Sequence, residues 1–197
     1  MQRYVIPLAL SALCMFGVPA RAQQPTVRRA DTLGANFDHT KVGTGTPNDF
    51  DYLIGTWEYT FQTRKREAPG EYEPAWPGTW TARKTHDGLI VEDVFSTRLP
   101  TGERGNTVTY RVFNPQRKVW EIQGVRARQG VWLPGTAWSD GKDRFLVQNY
   151  PDQGMLMRIR YYDISNEHFL WRADGSRDGG KTWMKDVWLI EAKRTAP

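Results

Sequence analysis

The sequence predicts an all-β chain of about eight to ten antiparallel strands, a barrel or a sandwich rather than an α/β fold. Three observations carry that prediction. Large apolar residues alternate with polar ones at period 2 in segment after segment. Turn residues punctuate those segments at short, even intervals, and no stretch as long as about 11 residues sustains a 3.6-residue period. At 197 residues the chain is one domain's worth of sequence.

Residues 1–22 read as a signal peptide. Arg3 gives a positive start, Val5 to Val18 is almost wholly apolar, and Ala20-Arg21-Ala22 carries small residues where a signal peptidase reads them. The apolar run is too short for a permanent membrane span, so the expected location is periplasmic or secreted. Cys14, the one cysteine, lies inside this segment and is followed by Met15 and Phe16. The mature chain therefore has no thiol, disulfide or Cys-ligated metal chemistry. Loss of Arg3 and Arg21, with no acidic residue, lowers the formal charge from +5 to +3. That charge is too dilute for a nucleic-acid footprint, and Glu67 directly follows the densest basic run, Arg64-Lys65-Arg66. Residues 23–48 hold few large apolar groups and read as a flexible leader, which leaves 49–197 as the barrel domain. All nine Trp fall between 57 and 188.

The strands follow in order. Asn48 to Leu53 forms a single helical turn. Trp57, Tyr59 and Phe61 then share one face, with Glu58, Thr60 and Gln62 on the other. Pro69 to Gly78 separates this segment from Thr79 to Thr85. Asp87-Gly88 is a hairpin turn, since both residues tolerate positive φ, and Ile90 to Arg98 returns. Thr107 to Phe113, Val119 to Val125, Phe145 to Tyr150, Met155 to Tyr162, His168 to Ala173 and Lys185 to Lys193 complete the set. Val131 to Trp138 is ambiguous because Pro134 and Gly135 interrupt it. The turns also predict cross-strand pairs. A turn at Asp87-Gly88 sets Trp80 opposite Phe95 and Arg83 opposite Glu92. Four-residue turns at Asn114 to Arg117 and Ile164 to Glu167 set Arg111 opposite Trp120 and Arg160 opposite Trp171, as stacked guanidinium–indole pairs.

Two stretches resemble family signatures. Asp49-Phe50-Asp51-Tyr52-Leu53-Ile54-Gly55-Thr56-Trp57 is similar to the opening of lipocalin-like (calycin) barrels, in which a short helical turn delivers G-x-W to the barrel base. More narrowly, it resembles a group of bacterial lipocalin-like domains of unknown function. These open with D-F-x-x-L-I-G-x-W and close with an S-x-D-G-G-x-T-W turn and a last strand ending in Arg. Here the second element is Ser176 to Trp183, with Arg194 near the end. The resemblance spans residues 49 to 194 and implies a lipocalin-like β-barrel with Trp57 as its plug. Ser176 to Trp183 also looks like an Asp-box. Asp178 would bond the turn's own N–H groups, and Trp183 would pack over it; one such turn without repeats is no propeller.

No catalytic, metal or cofactor signature is present. His39, His86 and His168 are not spaced as metal ligands, and there is no H-E-x-x-H, G-x-S-x-G, P-loop or dinucleotide fingerprint. A haem-binding relative of the fold, the nitrobindin type, also opens with G-x-W and takes iron through one histidine, which makes His168 the candidate here. The alternate glycines after its Trp are replaced by Tyr59, Phe61 and Thr63. Glu92 and Asp93 point to opposite faces, so one must face inward and needs a cation such as Arg83, Arg111, Arg158 or Arg160. The expected function is binding of a small hydrophobic or amphipathic molecule. The candidate cavity residues are Trp57, Tyr59, Glu92, Arg111, Trp120, Arg160 and Trp171. An enzyme using an Arg–carboxylate pair in the same cavity (isomerase, cyclase or hydrolase) is the alternative, as is a haem-binding barrel.

Overall fold

Ten strands, each paired antiparallel with its sequence neighbour, close into a barrel when the last pairs with the first. The computed structural model describes residues 43–68, 70–98, 102 and 104–197. The expected signal peptide and residues 23–42 of the expected leader lie outside them. A 3-10 turn, Asp51–Leu53, precedes β1 (Gly55–Thr63), β2 (Trp76–Thr85), β3 (Ile90–Arg98), β4 (Arg104–Asn114) and β5 (Val119–Arg126). Then come β6 (Val131–Asp140), β7 (Asp143–Tyr150), β8 (Met155–Tyr162), β9 (His168–Ser176) and β10 (Met184–Ala196). The ambiguous segment around Pro134 and Gly135 is strand β6, with Pro134 opposite Gln123. Closure leaves no unpaired sheet edge.

One end of the barrel is plugged. Phe50, Leu53 and Trp57 are wholly buried there. Phe50 meets Trp120 edge-on at 5.3 Å between ring centroids, and Trp57 meets Phe169 at 4.8 Å. The Trp57 indole N–H donates to Leu53 O at 2.8 Å. Arg194 lies over the Trp57 ring at 4.1 Å and donates to Ile54 O, Tyr52 O and Asn166 O. The residues just before the 3-10 turn lie against the same end. Gly45 N donates to Lys118 O, Trp120 Nε1 donates to Thr46 O, and the Asp49 carboxylate accepts from the backbone and hydroxyl of Thr46.

Register decides which side chains share the interior. The Asp87-Gly88 turn pairs Trp80 with Phe95 and Arg83 with Glu92, as expected. Two other pairings differ. Lys118 adopts φ 51°, so the β4–β5 loop is 115–118, and Arg111 faces Ile122 while Phe113 faces Trp120. This slip of two keeps every side chain on its face. Asp163 also takes φ 51°, and the β8–β9 register moves by one. Arg160 then opposes Arg172 on the outside, and Trp171 opposes Tyr161 within. The expected Arg111–Trp120 and Arg160–Trp171 stacks are therefore absent. Among the described residues no helix is long and apolar enough to cross a membrane.

Candidate functional site

Above the plug the barrel holds a cavity of about 240 Å³ that runs toward the opposite end. Its walls are aromatic because period-2 alternation turns one residue in two inward on every strand. Phe61, Trp76, Trp80, Phe95, Tyr150, Tyr161, Trp171 and Trp188 line it, with Leu146, Ile159 and Ile190 between them. The rings interlock edge-to-face: Trp80 lies 5.3 Å from Phe95 at 90°, and Tyr150 lies 5.4 Å from Trp188 at 62°. Such packing fixes ring orientation more firmly than aliphatic walls would.

The floor is polar. Asp93 and Arg111, only 1% and 2% exposed in their side chains, form an ion pair there. Asp93 also accepts from the Trp80 indole N–H at 2.8 Å, and the Arg111 guanidinium rests 5.0 Å above the Phe50 ring of the plug. Arg111 Nε and the Tyr52 hydroxyl are buried without a hydrogen-bond partner. Burial raises the Tyr52 pKa well above its ordinary value, with Tyr161 adding to the effect and Arg111 opposing it. Farther up, Gln148 Nε2 donates to Leu133 O at 2.9 Å, which leaves the amide's carbonyl open as an acceptor. At the open end Arg126 lines the cavity, paired with Asp152 at 2.6 Å, beside Gln129 and Asn106.

Of the residues expected from sequence, Arg111 and Trp171 line the cavity. Trp57 and Trp120 face inward but belong to the plug. Tyr59 is also buried; it stacks on Phe95 at 4.4 Å and its hydroxyl shares a 2.6 Å hydrogen bond with Thr97, so it backs the wall. Glu92 and Arg160 point outward. Glu92 pairs with exposed Arg83 at 2.8 Å. Arg160 pairs with Asp143 and lies over Phe145 and Tyr162. The inward carboxylate is Asp93, which shares its face of β3 with Phe95. Trp80, whose pairing with Phe95 is legible, also lines the cavity, as do Trp188, Gln148 and Arg126, whose placement depends on strand ends and register.

His168 opens β9 on the outer face, with Ser165 Oγ 3.0 Å from its Nδ1 and Asp163 3.1 Å from its Nε2. Among the described residues no histidine lines the cavity, so these walls do not fit haem held by a histidine. The Ser176 to Trp183 turn lies at the open end. Asp178 accepts from Thr182 N at 2.9 Å and from the Thr182 hydroxyl at 2.6 Å, while Ser176 Oγ accepts from Gly180 N at 2.8 Å. Gly179 and Gly180 take φ 71° and 94°. Arg158 braces Trp183 from 4.4 Å while bonding Asp174.

No family model and no curated protein matches the sequence. Among solved structures, the chain resembles the S-type phycobiliprotein lyase CPES from Guillardia theta. The TM-score is 0.52 at 11% identity, covering 74% of this chain and 90% of that one. It also resembles Rv2717c from M. tuberculosis, with a TM-score of 0.55 at 11% identity, covering 77% of this chain and 99% of that one. At this identity the likeness shows the fold alone, and the fold is a lipocalin-like barrel.

Proposed function

We propose that this chain is an exported barrel that binds a small hydrophobic or amphipathic molecule, as a carrier or sensor. The observation that carries the reading is the aromatic-walled cavity between a closed base and an open end, with one buried ion pair at its floor. Protein ligand sites are commonly apolar with a few placed polar groups, and a barrel of this size is wide enough to hold one small ligand. At about 240 Å³ the space suits a compact, flat compound rather than a long acyl chain. The similar structure of a phycobiliprotein lyase lends support, as a protein of this fold that acts on another molecule. The D-F-x-x-L-I-G-x-W opening and the Ser176 to Trp183 turn support membership of the bacterial lipocalin-like group, and residues 1–22 support export.

The test is native mass spectrometry of the mature protein recovered from the periplasm of a bacterium expressing the full-length chain, followed by extraction of what it retains. The expected result is a retained compound of small mass that quenches tryptophan fluorescence when added back to stripped protein. A mass equal to the bare mature chain, with no quenching by lipid or aromatic extracts, would overturn the reading. A catalytic use of the same cavity would fall to Asp93 with Arg111. Trp80 and Arg111 already hold the Asp93 carboxylate, an arrangement better suited to fixing a ligand than to taking a proton from it.

A further inference from the structure

Resting on the binding reading above, we infer that the ligand carries no net charge at its deep end. It presents there a neutral hydrogen-bond acceptor, such as the carbonyl of an amide or ketone, to Arg111. The inference comes from the balance of charge within the walls. Among the described residues three charged side chains line the cavity: Asp93, Arg111 and Arg126. Asp93 and Arg111 neutralise each other at the floor, and Arg126 is neutralised at the open end by Asp152. Among the described residues no uncompensated cation lines the cavity to receive an anion.

A carboxylate placed against Arg111 would also stand beside Asp93. Two negative charges would then share one guanidinium among Trp80, Phe95, Tyr161 and Trp171, where water cannot screen them. The attraction to Arg111 would be offset by repulsion from Asp93, and the cost of stripping water from the anion would remain. A cation meets the converse problem at Arg111. A neutral acceptor loses far less hydration, and it finds donors waiting. A guanidinium carries five N–H groups. Among the described residues the Asp93 carboxylate is the one acceptor paired with that of Arg111, which lines the cavity floor. A bound carbonyl would satisfy donors that the protein itself leaves unmet. The rest of the ligand, a flat apolar body, then lies between the interlocked rings above.

Two isosteric probes separate the possibilities, 2-naphthamide and 2-naphthoate. Each is titrated at neutral pH into the stripped mature protein and followed by tryptophan quenching and calorimetry. The amide is expected to bind tighter than the carboxylate by about tenfold or more. The Asp93→Asn variant keeps an oxygen for the Trp80 indole and leaves Arg111 with an unbalanced positive charge; the preference should then turn toward the carboxylate. That variant loses a buried charge and could fold poorly, so the wild-type comparison stands as the test by itself. Equal or tighter binding of 2-naphthoate by the wild type overturns this inference while leaving the binding reading in place. Binding of neither probe, with no small molecule retained by the natively expressed protein, overturns the binding reading and this inference with it.

Discussion

Glu92 and Asp93 are chain neighbours of the same chemistry, and the fold gives them opposite fates. Glu92 reaches across the outer face to Arg83, whose side chain is 70% exposed. Such a pair is screened by water and contributes no more than about 1 kcal/mol. Asp93 meets Arg111 in the interior, where each charge has lost its water and depends on the other. Truncating one partner there strands a buried charge, which costs about 3–5 kcal/mol. Asp93→Ala should therefore lower the urea midpoint steeply, whereas Glu92→Ala should hardly move it, with equal slopes in both transitions. Similar losses from the two substitutions would show that the inner pair is not the buried partnership described. The sequence made it legible that one carboxylate faces inward and needs a cation, with Arg83, Arg111, Arg158 and Arg160 as the candidates. Which carboxylate it is depends on the face of β3, and adjacent positions of a strand carry equal claims until the register is known.

Turns set that register, and they differ in how openly the sequence announces them. Asp87-Gly88 is a pair made for positive φ, and its hairpin was legible along with the Trp80–Phe95 contact. The β4–β5 and β8–β9 turns instead place Lys118 and Asp163 at positive φ. Lys118 does not advertise that conformation, and Asp163 tolerates it but is followed by Ile164 rather than glycine, so the sequence leaves both registers open and the expected face of Arg160 is wrong. The Ser176 to Trp183 turn lies at the legible extreme, and its chemistry gives a pH signature. The Thr182 hydroxyl and backbone N–H, with the Ser176 hydroxyl, hold the Asp178 pKa down at about 2. A carboxyl depressed in the folded state stabilises it above the ordinary carboxylate range and loses that contribution as pH falls toward 2. Asp178→Asn should therefore be less stable than wild type at neutral pH, with the gap closing between about pH 4 and pH 2. Thermal melts of the two proteins across that range check it; a gap independent of pH would sink the assignment. On β2, Gly78 lies directly over the ring of Tyr59, and a Cβ there would run into the Tyr59 Cζ and hydroxyl. Gly78→Ala should cost about 1–3 kcal/mol by overpacking, read from the shift in chemical denaturation midpoint. A neutral effect would mean that the ring moves aside freely.

At the scale of the whole molecule, nine of the ten strand pairings join sequence neighbours, and only β1 with β10 brings the two ends of the barrel together. That closure converts a meander with two exposed edges into a barrel with none. The sequence announced strands and their order well, but closure is a long-range event that no local pattern records. Arg194 joins it to the plug. From β10 its guanidinium caps the Trp57 ring of β1, donates to Tyr52 O and Ile54 O beside the 3-10 turn, and reaches Asn166 O in the β8–β9 loop. Charged donors to carbonyls are worth more than neutral ones, and all these partners would be left unmet at once by truncation. Arg194→Ala should lower stability by about 2–3 kcal/mol. The loss should be unevenly placed, because the remaining pairings do not pass through this residue. Amides of β1 and β10 are expected to exchange with solvent much faster in the variant, while those of β6 to β8 change little. Arg194→Lys should recover little, since an ammonium cannot reach three carbonyls in a fixed fork while stacking on an indole. Uniform acceleration across all ten strands would place Arg194 in a general packing role instead. Exchange confined to β1 and β10 would identify it as the clasp that holds the closed barrel over its base.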